Sequence, residues 1–284
     1  MISLKRNRKT GELETATGLI SQEWRKYVPN QNKDYTISRS RFDNFMSCPK
    51  CFYLQNIKGL VPSGTPPWRL NSLTDTLLKI EFDKCRKEQQ PHRILIKNKL
   101  NHIVPYKSKY IKNKKGEDVL EIDVWRDSLH GGIKHRFKDT NIILAGGVDD
   151  VWFNTKTEEL IIADYKSQQS DFEATQDNYF KKCHTSNYKR QLDFYAYLLK
   201  GLGYKVSNDA YLYIMNAKQN PLGFQGKLIF DEILIKHDCK TDHIEKSVQA
   251  MIDAMNSEKI PNSNKSCENC AYVTRRAEME NLNR

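Results

Sequence analysis

The stretch GGVDDVWFNTKTEELIIADYKSQ, Gly146–Gln168, decides the fold. The turn NTKTEE joins two predicted strands, IILAGGVDDVWF (residues 142–153) and LIIADYK (residues 160–166). Their apolar runs close on Val148-Asp149-Asp150 and on Ala163-Asp164-Tyr165-Lys166, so charge occurs where a buried strand would be expected to stay apolar. If the runs form adjacent antiparallel strands, Asp149 lies near Asp164 across the pair. Because side chains two positions apart share one face of a strand, Asp164 and Lys166 point the same way and Tyr165 points to the opposite face.

Two carboxylates and an ammonium group at one point of a sheet indicate a cation site. Like-charged carboxylates that lose their hydration are costly unless a cation lies between them. Their hard oxygen atoms favour Mg²⁺ or Mn²⁺, and Lys166 would orient a water molecule or stabilise negative charge on a phosphate group. The pattern therefore predicts a centre that cleaves phosphodiester bonds.

Two similar acidic patterns are assigned structural roles. Asp150 lies on the opposite side of its strand from Asp149, and we expect it to form a salt bridge. A second Asp-x-Lys motif, Asp238-Cys239-Lys240, has no acidic strand end shortly before it. We interpret this second motif as an ordinary strand exit.

The composition is that of a folded protein with a basic surface. The 284 residues are 38% hydrophobic, and 46 Lys and Arg against 35 Asp and Glu give a net charge of +11. That charge suits DNA as a partner, although many lysine-rich proteins bind no nucleic acid. The sequence contains no stretch of about 18 apolar residues and no apolar segment after its basic start, so we expect no membrane contact and a cytoplasmic location.

The chain is expected to form a single domain over residues 38–276, with a peripheral segment, 1–37, before it and a tail, 277–284, after it. After the loop VPSGTPPW, the spacing of four apolar residues predicts an amphipathic helix: Leu70, Leu73, Leu77 and Ile80.

Two further elements are predicted on either side of the central stretch. The alternation in VLEIDVW, residues 119–125, is typical of a strand. The basic segment before it is interpreted as the solvated tip of a hairpin. YKRQLDFYAYLLKGLG, residues 188–203, predicts a helix that ends at its glycines.

Three motifs carry a resemblance to a known family. They are G-V-D with Asp149, D-Y-K with Asp164 and Lys166, and Q-L-D-F-Y with Gln191 and Tyr195. In this order they resemble the PD-(D/E)XK nuclease superfamily, in particular its RecB-type branch, which includes the CRISPR-adaptation exonucleases. The resemblance implies a restriction-endonuclease-like α/β fold, with a central mixed β-sheet flanked by helices.

The resemblance also implies roles for the strand residues. Asp149 and Asp164 would bind Mg²⁺ or Mn²⁺, and the backbone carbonyl group of Tyr165 would complete the ligands. Lys166 would assist catalysis by orienting the attacking water and stabilising charge.

Two helices would complete the implied site. Gln191 and Tyr195, four positions apart on one helix face, would engage the DNA. A helix before the sheet usually supplies one more acidic residue. We choose Glu81 for this position because a carboxylate within an apolar helix is unfavourable unless it has a function. Asp75 and Asp83 are the alternatives.

The cysteines predict a second metal site. Two Cys-x-x-Cys pairs, Cys48 with Cys51 and Cys267 with Cys270, are too far apart for a local zinc ribbon but could join the N- and C-terminal segments. Four thiolates suit either Zn²⁺ or a [4Fe-4S] cluster, and spacing does not separate the two. RecB-type nucleases hold a cluster with one cysteine before the domain and three after it, whereas this chain has two and two. We favour an iron-sulfur cluster of structural role, with Zn²⁺ as the alternative.

The remaining cysteines are interpreted as small buried residues: Cys85, Cys183 and Cys239.

The resulting prediction is a metal-dependent DNA nuclease that acts in DNA repair, recombination or defence. Two alternatives remain: a DNA-binding protein on the same fold that has lost catalysis, and a structural subunit of a larger complex. The sequence contains no P-loop for ATP hydrolysis. Any unwinding must therefore come from a partner such as a helicase or a recombination or defence protein.

Overall fold

The computed structural model describes residues 4–7, 9–62, 69–113, 115–181, 185–219 and 223–282. Most of the predicted loop VPSGTPPW, and the isolated Cys183, lie outside the described residues. The chain forms two compact units. The first comprises residues 1–67, 139–142 and 245–284, and the second comprises residues 68–138 and 143–244. Within the described ranges, no helix is long and apolar enough to cross a membrane.

Runs of helices and runs of strands follow one another along the chain. The strands are β1 (Tyr35–Ser38), β2 (Ile103–Pro105), β3 (Tyr110–Lys112), β4 (Asp118–Leu120), β5 (Ile133–Arg136), β6 (Ile142–Gly146), β7 (Asp150–Asn154), β8 (Glu159–Gln168), β9 (Asp209–Ala217) and β10 (Phe230–Asp238). The helices are α1 (Arg39–Ser47), α2 (Pro49–Asn56), α3 (Arg69–Glu88), α4 (Arg93–Lys97), α5 (Glu121–Arg126), α6 (Ser186–Gly201), α7 (Asp242–Asn256) and α8 (Glu268–Leu282).

The second unit is built on a mixed sheet. Its described strands hydrogen-bond in the order β10-β9-β8-β7-β2. β8 is antiparallel to β7, with Asp150 opposite Ala163, and parallel to β9, with Asp164 opposite Leu212. The two outer pairs, β10 with β9 and β2 with β7, are antiparallel. The mixed sheet expected from the sequence is confirmed.

Helices cover both faces of β8. The ring of Tyr165 lies 5.4 Å from the ring of Phe82 on α3, measured between centroids. Its neighbour Asp164 points to the opposite face and accepts a hydrogen bond from Gln191 on α6. The sheet is therefore flanked by helices, as predicted.

The buried face of α3 is not the predicted apolar stripe. Leu78 and Phe82 are buried, and the Phe82 ring stacks on His92 at 4.2 Å and on Trp152 at 5.4 Å. Stacked aromatic rings bury more apolar surface than leucine side chains and therefore decide which face packs on the sheet. The four residues that defined the predicted stripe are each more than half exposed: Leu70, Leu73, Leu77 and Ile80.

The first predicted strand of the central region, IILAGGVDDVWF (residues 142–153), is two strands and not one. It divides into β6, which pairs antiparallel with β5, and β7, which lies in the five-stranded sheet. The break falls at two glycines where neighbouring chain approaches closely. A Cβ atom on Gly146 would lie 2.6 Å from the Tyr195 ring, and one on Gly147 would lie 2.6 Å from the Ser128 side chain. Any side chain here would collide with its neighbour, so the glycines are required.

The predicted strand over residues 119–125 is wrong for most of its length. Only its first residues belong to β4, and from Glu121 the chain forms α5. Ile122 and Trp125 are buried three positions apart, which is the spacing of one helix face. The basic segment before β4 forms a β3–β4 hairpin, in agreement with the structural interpretation.

The first unit holds both ends of the described chain. α1 begins after Ser38, whose hydroxyl oxygen accepts a hydrogen bond from the backbone N–H of Arg41 at 3.3 Å. Pro49 then opens α2, at a position where its missing N–H costs nothing. The predicted tail, 277–284, is helical as far as Leu282 because α8 continues into it.

Candidate active site and cysteine site

Asp164 lies at the centre of the site, fully buried on β8. Lys166 Nζ forms an ion pair with Asp164 Oδ2. Gln191 Nε2 donates a hydrogen bond of 2.7 Å to Asp164 Oδ1 and a second of 3.3 Å to the hydroxyl oxygen of Tyr195. β8 and α6 therefore bring four of the predicted residues into one contact network.

Asp149 lies beside Asp164, in the loop just before β7. Its Oδ2 accepts a hydrogen bond from the backbone N–H of Tyr165 at 2.9 Å, which fixes the carboxylate against β8. Burial, followed by the charge of Asp149, raises the pKa of Asp164 although Lys166 acts to lower it. The two carboxylates therefore repel each other, as expected for ligands of one cation.

Asp75 on α3 is the third carboxylate at this point. Lys79, one helical turn later, donates a hydrogen bond of 2.7 Å to Asp75 Oδ2 and lies 4.0 Å from Asp149 Oδ1. Burial and the charge of Asp149 both raise the pKa of Asp75. The helix is held to the end of β8 because Thr74 Oγ1 donates to Ser167 Oγ at 2.8 Å.

The structure does not bring Glu81 to this point. Glu81 Oε2 lies 2.9 Å from His92 Nε2 and 3.3 Å from Arg93 Nη2. Asp83 is engaged by two arginines in a separate ion-pair network. Of the three candidates for the first acidic position, Asp75 is the one that lies beside the strand aspartates.

Asp150 points away from this site and is held by basic residues. It is fully buried, with Arg86 Nη2 at 2.5 Å, Arg126 Nη2 at 3.1 Å and the Tyr165 hydroxyl group at 2.8 Å from its carboxylate. Burial acts to raise the pKa of Asp150, but the two guanidinium groups outweigh it and hold that pKa below its ordinary value. The salt bridge expected for Asp150 is present.

Lys166 is held in its charged form. Burial acts to lower the pKa of Lys166, but Asp164 and Asp149 outweigh it and the pKa is raised. The ammonium group also lies over the ring of Tyr188, 4.9 Å from its centroid. A cation over an aromatic face gains about 0.5–2 kcal/mol. Before a cation binds, Lys166 is therefore a positive charge held beside the two aspartates.

The site fits a divalent cation. One buried carboxylate oxygen, Asp75 Oδ1, accepts no hydrogen bond from the described residues, and the buried Asp164 Oδ2 is paired with Lys166 alone. The carbonyl oxygen of Tyr165 lies at the same point, 3.5 Å from Lys166 Nζ. Oxygen atoms from carboxylates and a backbone carbonyl group are the ligands that Mg²⁺ and Mn²⁺ prefer. A cation would satisfy the unpaired oxygen of Asp75 and reduce the repulsion between the carboxylates.

The paired cysteines come together in the first unit. Sγ of Cys48 lies 3.8 Å from that of Cys270, and Sγ of Cys51 lies 3.6 Å from Cys267 and 3.3 Å from Cys270. Although burial acts to raise it, hydrogen bonds led by the backbone N–H groups of Cys51 and Asn264 lower the pKa of Cys48 to about 7. These residues fit a metal site that joins two distant segments, as the sequence predicted.

Several residues around the candidate active site were not predicted from the sequence. The contact of Lys79 with Asp75 could have been predicted, because Lys79 follows Asp75 by four positions on one helix. No signal separated the two arginines of Asp150 from other basic residues of a lysine-rich chain. The full set comprises Lys79, Arg86, Arg126 and Tyr188.

A mixed sheet that presents two aspartates and a lysine beside a third aspartate on a helix is typical of a class of metal-dependent nuclease folds. The PD-(D/E)XK nuclease superfamily matches residues 36–275, and the chain belongs to this superfamily. Membership implies a nuclease that uses a divalent metal ion. The crystal structure of SSO0001 is similar at 16% sequence identity, over 81% of this chain and 80% of that one, with a TM-score of 0.33. No curated protein matches the chain.

Proposed function

We propose that the protein hydrolyses phosphodiester bonds of DNA in the presence of Mg²⁺ or Mn²⁺. The observation that carries the proposal is the convergence of Asp75, Asp149 and Asp164 beside the charged Lys166, with one buried oxygen of Asp75 that lacks a donor among the described residues. The aspartates repel one another in the absence of a cation, and a bound cation would relieve that repulsion.

The three aspartates and the carbonyl oxygen of Tyr165 would hold the cation. A bound ion would polarise the attacking water and neutralise charge on the phosphate group. Lys166 would donate hydrogen bonds to the water and to the phosphate, because it stays charged next to Asp164. In this proposal Asp75 takes the place for which Glu81 was chosen from the sequence.

Gln191 and Tyr195 are proposed to position the ligand Asp164. Both side chains are buried, with 7% and 3% of their surface exposed. Their hydrogen bonds run to Asp164 and to each other. This favours a role in orienting the carboxylate over the direct DNA contact that the resemblance implies.

The spacing of the four cysteines favours Zn²⁺ as their metal. A tetrahedron with Zn–S bonds of about 2.3 Å separates its sulfur atoms by about 3.8 Å. The three Sγ separations of 3.3, 3.6 and 3.8 Å are close to this value. A [4Fe-4S] cluster, which the resemblance implies, places each thiolate on a different iron atom and requires more room. Metal analysis and the visible absorption spectrum of anaerobically purified protein distinguish the two.

The wider role is proposed from the RecB-type resemblance. DNA repair, recombination or defence would each supply a DNA end or strand as substrate. A helicase or a recombination or defence protein is the expected partner, because the chain has no P-loop of its own.

The deciding experiment is cleavage of end-labelled single- and double-stranded DNA with Mg²⁺, with Mn²⁺ and with a chelator. Asp164→Ala and Lys166→Ala should abolish cleavage. The matched controls are Asp231→Ala and Lys218→Ala, which break an Asp–Lys ion pair that is about half exposed and should leave cleavage unchanged.

Each outcome has a defined meaning. Metal-dependent cutting that is lost only in the Asp164 and Lys166 variants supports the nuclease, and the product ladder reports its polarity. Binding of DNA without cutting under either metal would favour the alternative of a DNA-binding protein that has lost catalysis. Neither binding nor cutting would favour a structural subunit.

A further inference from the structure

A second cluster of metal-ligating side chains lies in the same unit as the catalytic centre, where β10 ends. His237 and Cys239 are two positions apart and share a face. A carboxylate oxygen of Asp193 on α6 lies within 4.8 Å of a ligand atom of each. His243, near the start of α7, brings its Nε2 to 3.8 Å from Asp193 Oδ2.

The burial of Asp193 argues for a positive charge at this cluster. Asp193 is 5% exposed, and its ion-pair partners in the described part of the chain are two imidazoles, His237 at 2.8 Å and His243 at 3.8 Å. A buried carboxylate is costly unless a cation or hydrogen bonds compensate its charge. A dication between the three groups would compensate it.

The backbone around Asp193 is already arranged as it is around a metal ligand. Lys240 N–H donates a hydrogen bond of 3.0 Å to Asp193 Oδ1, and ligating carboxylates are commonly held by such outer hydrogen bonds. Cys239 is fixed as well, because its N–H donates to the carbonyl oxygen of Asn208 at 2.7 Å.

We propose that Asp193, His237, Cys239 and His243 bind one Zn²⁺ ion. One thiolate, two imidazoles and one carboxylate make a four-ligand set of nitrogen, sulfur and oxygen that suits Zn²⁺ and not Mg²⁺. The motif Asp238-Cys239-Lys240, interpreted from the sequence as a plain strand exit, thus contains a ligand of a second metal site.

This ion would tie α6 to the end of β10. Asp193 follows Gln191 by two positions and points to another face of the same helix, while Gln191 holds Asp164 at 2.7 Å. The zinc site would therefore fix the helix that positions the catalytic carboxylate without touching the substrate. The proposal does not depend on the nuclease activity and is tested without it.

The test is the zinc content per chain of the full-length protein, measured by atomic emission after gel filtration. Wild type should hold one zinc ion more than His237→Ala and Cys239→Ser. Cys85→Ser, which alters a cysteine outside both metal clusters, is the matched control and should keep the wild-type content.

Equal zinc content in wild type and in folded variants would overturn the proposal and leave a hydrogen-bond network only. If the variants fail to fold, X-ray absorption at the zinc edge of wild type decides the question. Nitrogen ligands beside sulfur support the site. A zinc environment of sulfur alone, or protein without zinc, overturns it, because the four-cysteine site offers no imidazole.

Discussion

The neighbouring residues Asp149 and Asp150 provide a matched test of the division between catalysis and stability. Replacement of each by asparagine removes one charge and almost no volume. We expect Asp149→Asn to abolish cleavage and leave the free energy of unfolding nearly unchanged. We expect Asp150→Asn to have the opposite profile: a large loss of stability, with cleavage retained by the molecules that remain folded.

The structure gives the magnitude of both effects. Asp150 is fully buried, and its loss would leave the buried guanidinium groups of Arg86 and Arg126, 6% and 9% exposed, without their central counterion. Removal of one partner from a buried ion pair costs about 3–5 kcal/mol. Asp149 is 25% exposed, and the oxygen of an asparagine can still accept the hydrogen bond from Tyr165 N–H. Loss of its charge also relieves the repulsion with Asp164 and Asp75, so we expect the free energy of unfolding to change by less than about 1 kcal/mol.

The assay is urea unfolding followed by circular dichroism in the presence of a chelator, so that no bound cation contributes to the free energy. The pH dependence gives a second readout. Because the folded protein holds the pKa of Asp150 below its ordinary value of 3.8, its contribution is complete above that value and is lost as the pH falls through the folded pKa. The gap between wild type and Asp150→Asn should therefore close in acid. An Asp150→Asn variant within 1 kcal/mol of wild type, or equal destabilisation by both variants, would refute the reasoning.

Three further predictions follow from the site. Asp75→Asn should lower Mn²⁺-dependent cleavage about 100-fold because it removes a metal ligand, and changes to groups that only contact ligands already cost about 10–100-fold. Glu81→Gln is the control and should change cleavage little. A stronger effect of the Glu81 variant would indicate that Glu81, and not Asp75, binds the metal. Tyr188→Leu should lower kcat about tenfold or less with KM unchanged, because it removes the aromatic ring that contacts the ammonium group of Lys166. An effect on KM alone would contradict a role of Tyr188 in holding Lys166. Cys51→Ser should release the metal of the four-cysteine site and lower Tm, whereas Cys85→Ser should have neither effect. If the Cys51 variant retains its metal, Cys51 is not a ligand.

The central strands could be predicted because alternation and charge specify them locally. The side chains of Asp164 and Lys166 share a face for the reason the sequence suggested, a spacing of two. The glycines were also informative, since Gly146 lies against Tyr195 at a distance that excludes a side chain. What the sequence could not reveal is that these glycines separate two strands, because apolar character continues on both sides of the break.

The acidic residue on α3 required knowledge of which helix face packs. The sequence offered a regular leucine stripe, but the helix is oriented by Phe82, which enters the aromatic cluster with Trp152. Asp75 lies seven positions before Phe82 and so falls on the same face, whereas Glu81 does not. Tertiary packing, which local spacing does not encode, therefore made the choice between them. The same limit applies to Asp193, whose partners His237 and Cys239 come from a strand more than forty positions later.

The four-cysteine site has a consequence for the synthesis of the protein. Its partners are 216 to 222 positions apart, with the whole second unit encoded between them. At about 5–20 residues per second, Cys48 and Cys51 wait about 10–40 s for Cys267 and Cys270 to emerge from the ribosome. During that time Cys48 and Cys51 have only two of the four thiolates, so they would bind a metal ion weakly, while the second unit is free to fold. A metal bound by the four cysteines would therefore join the two segments only after the second unit has been synthesised.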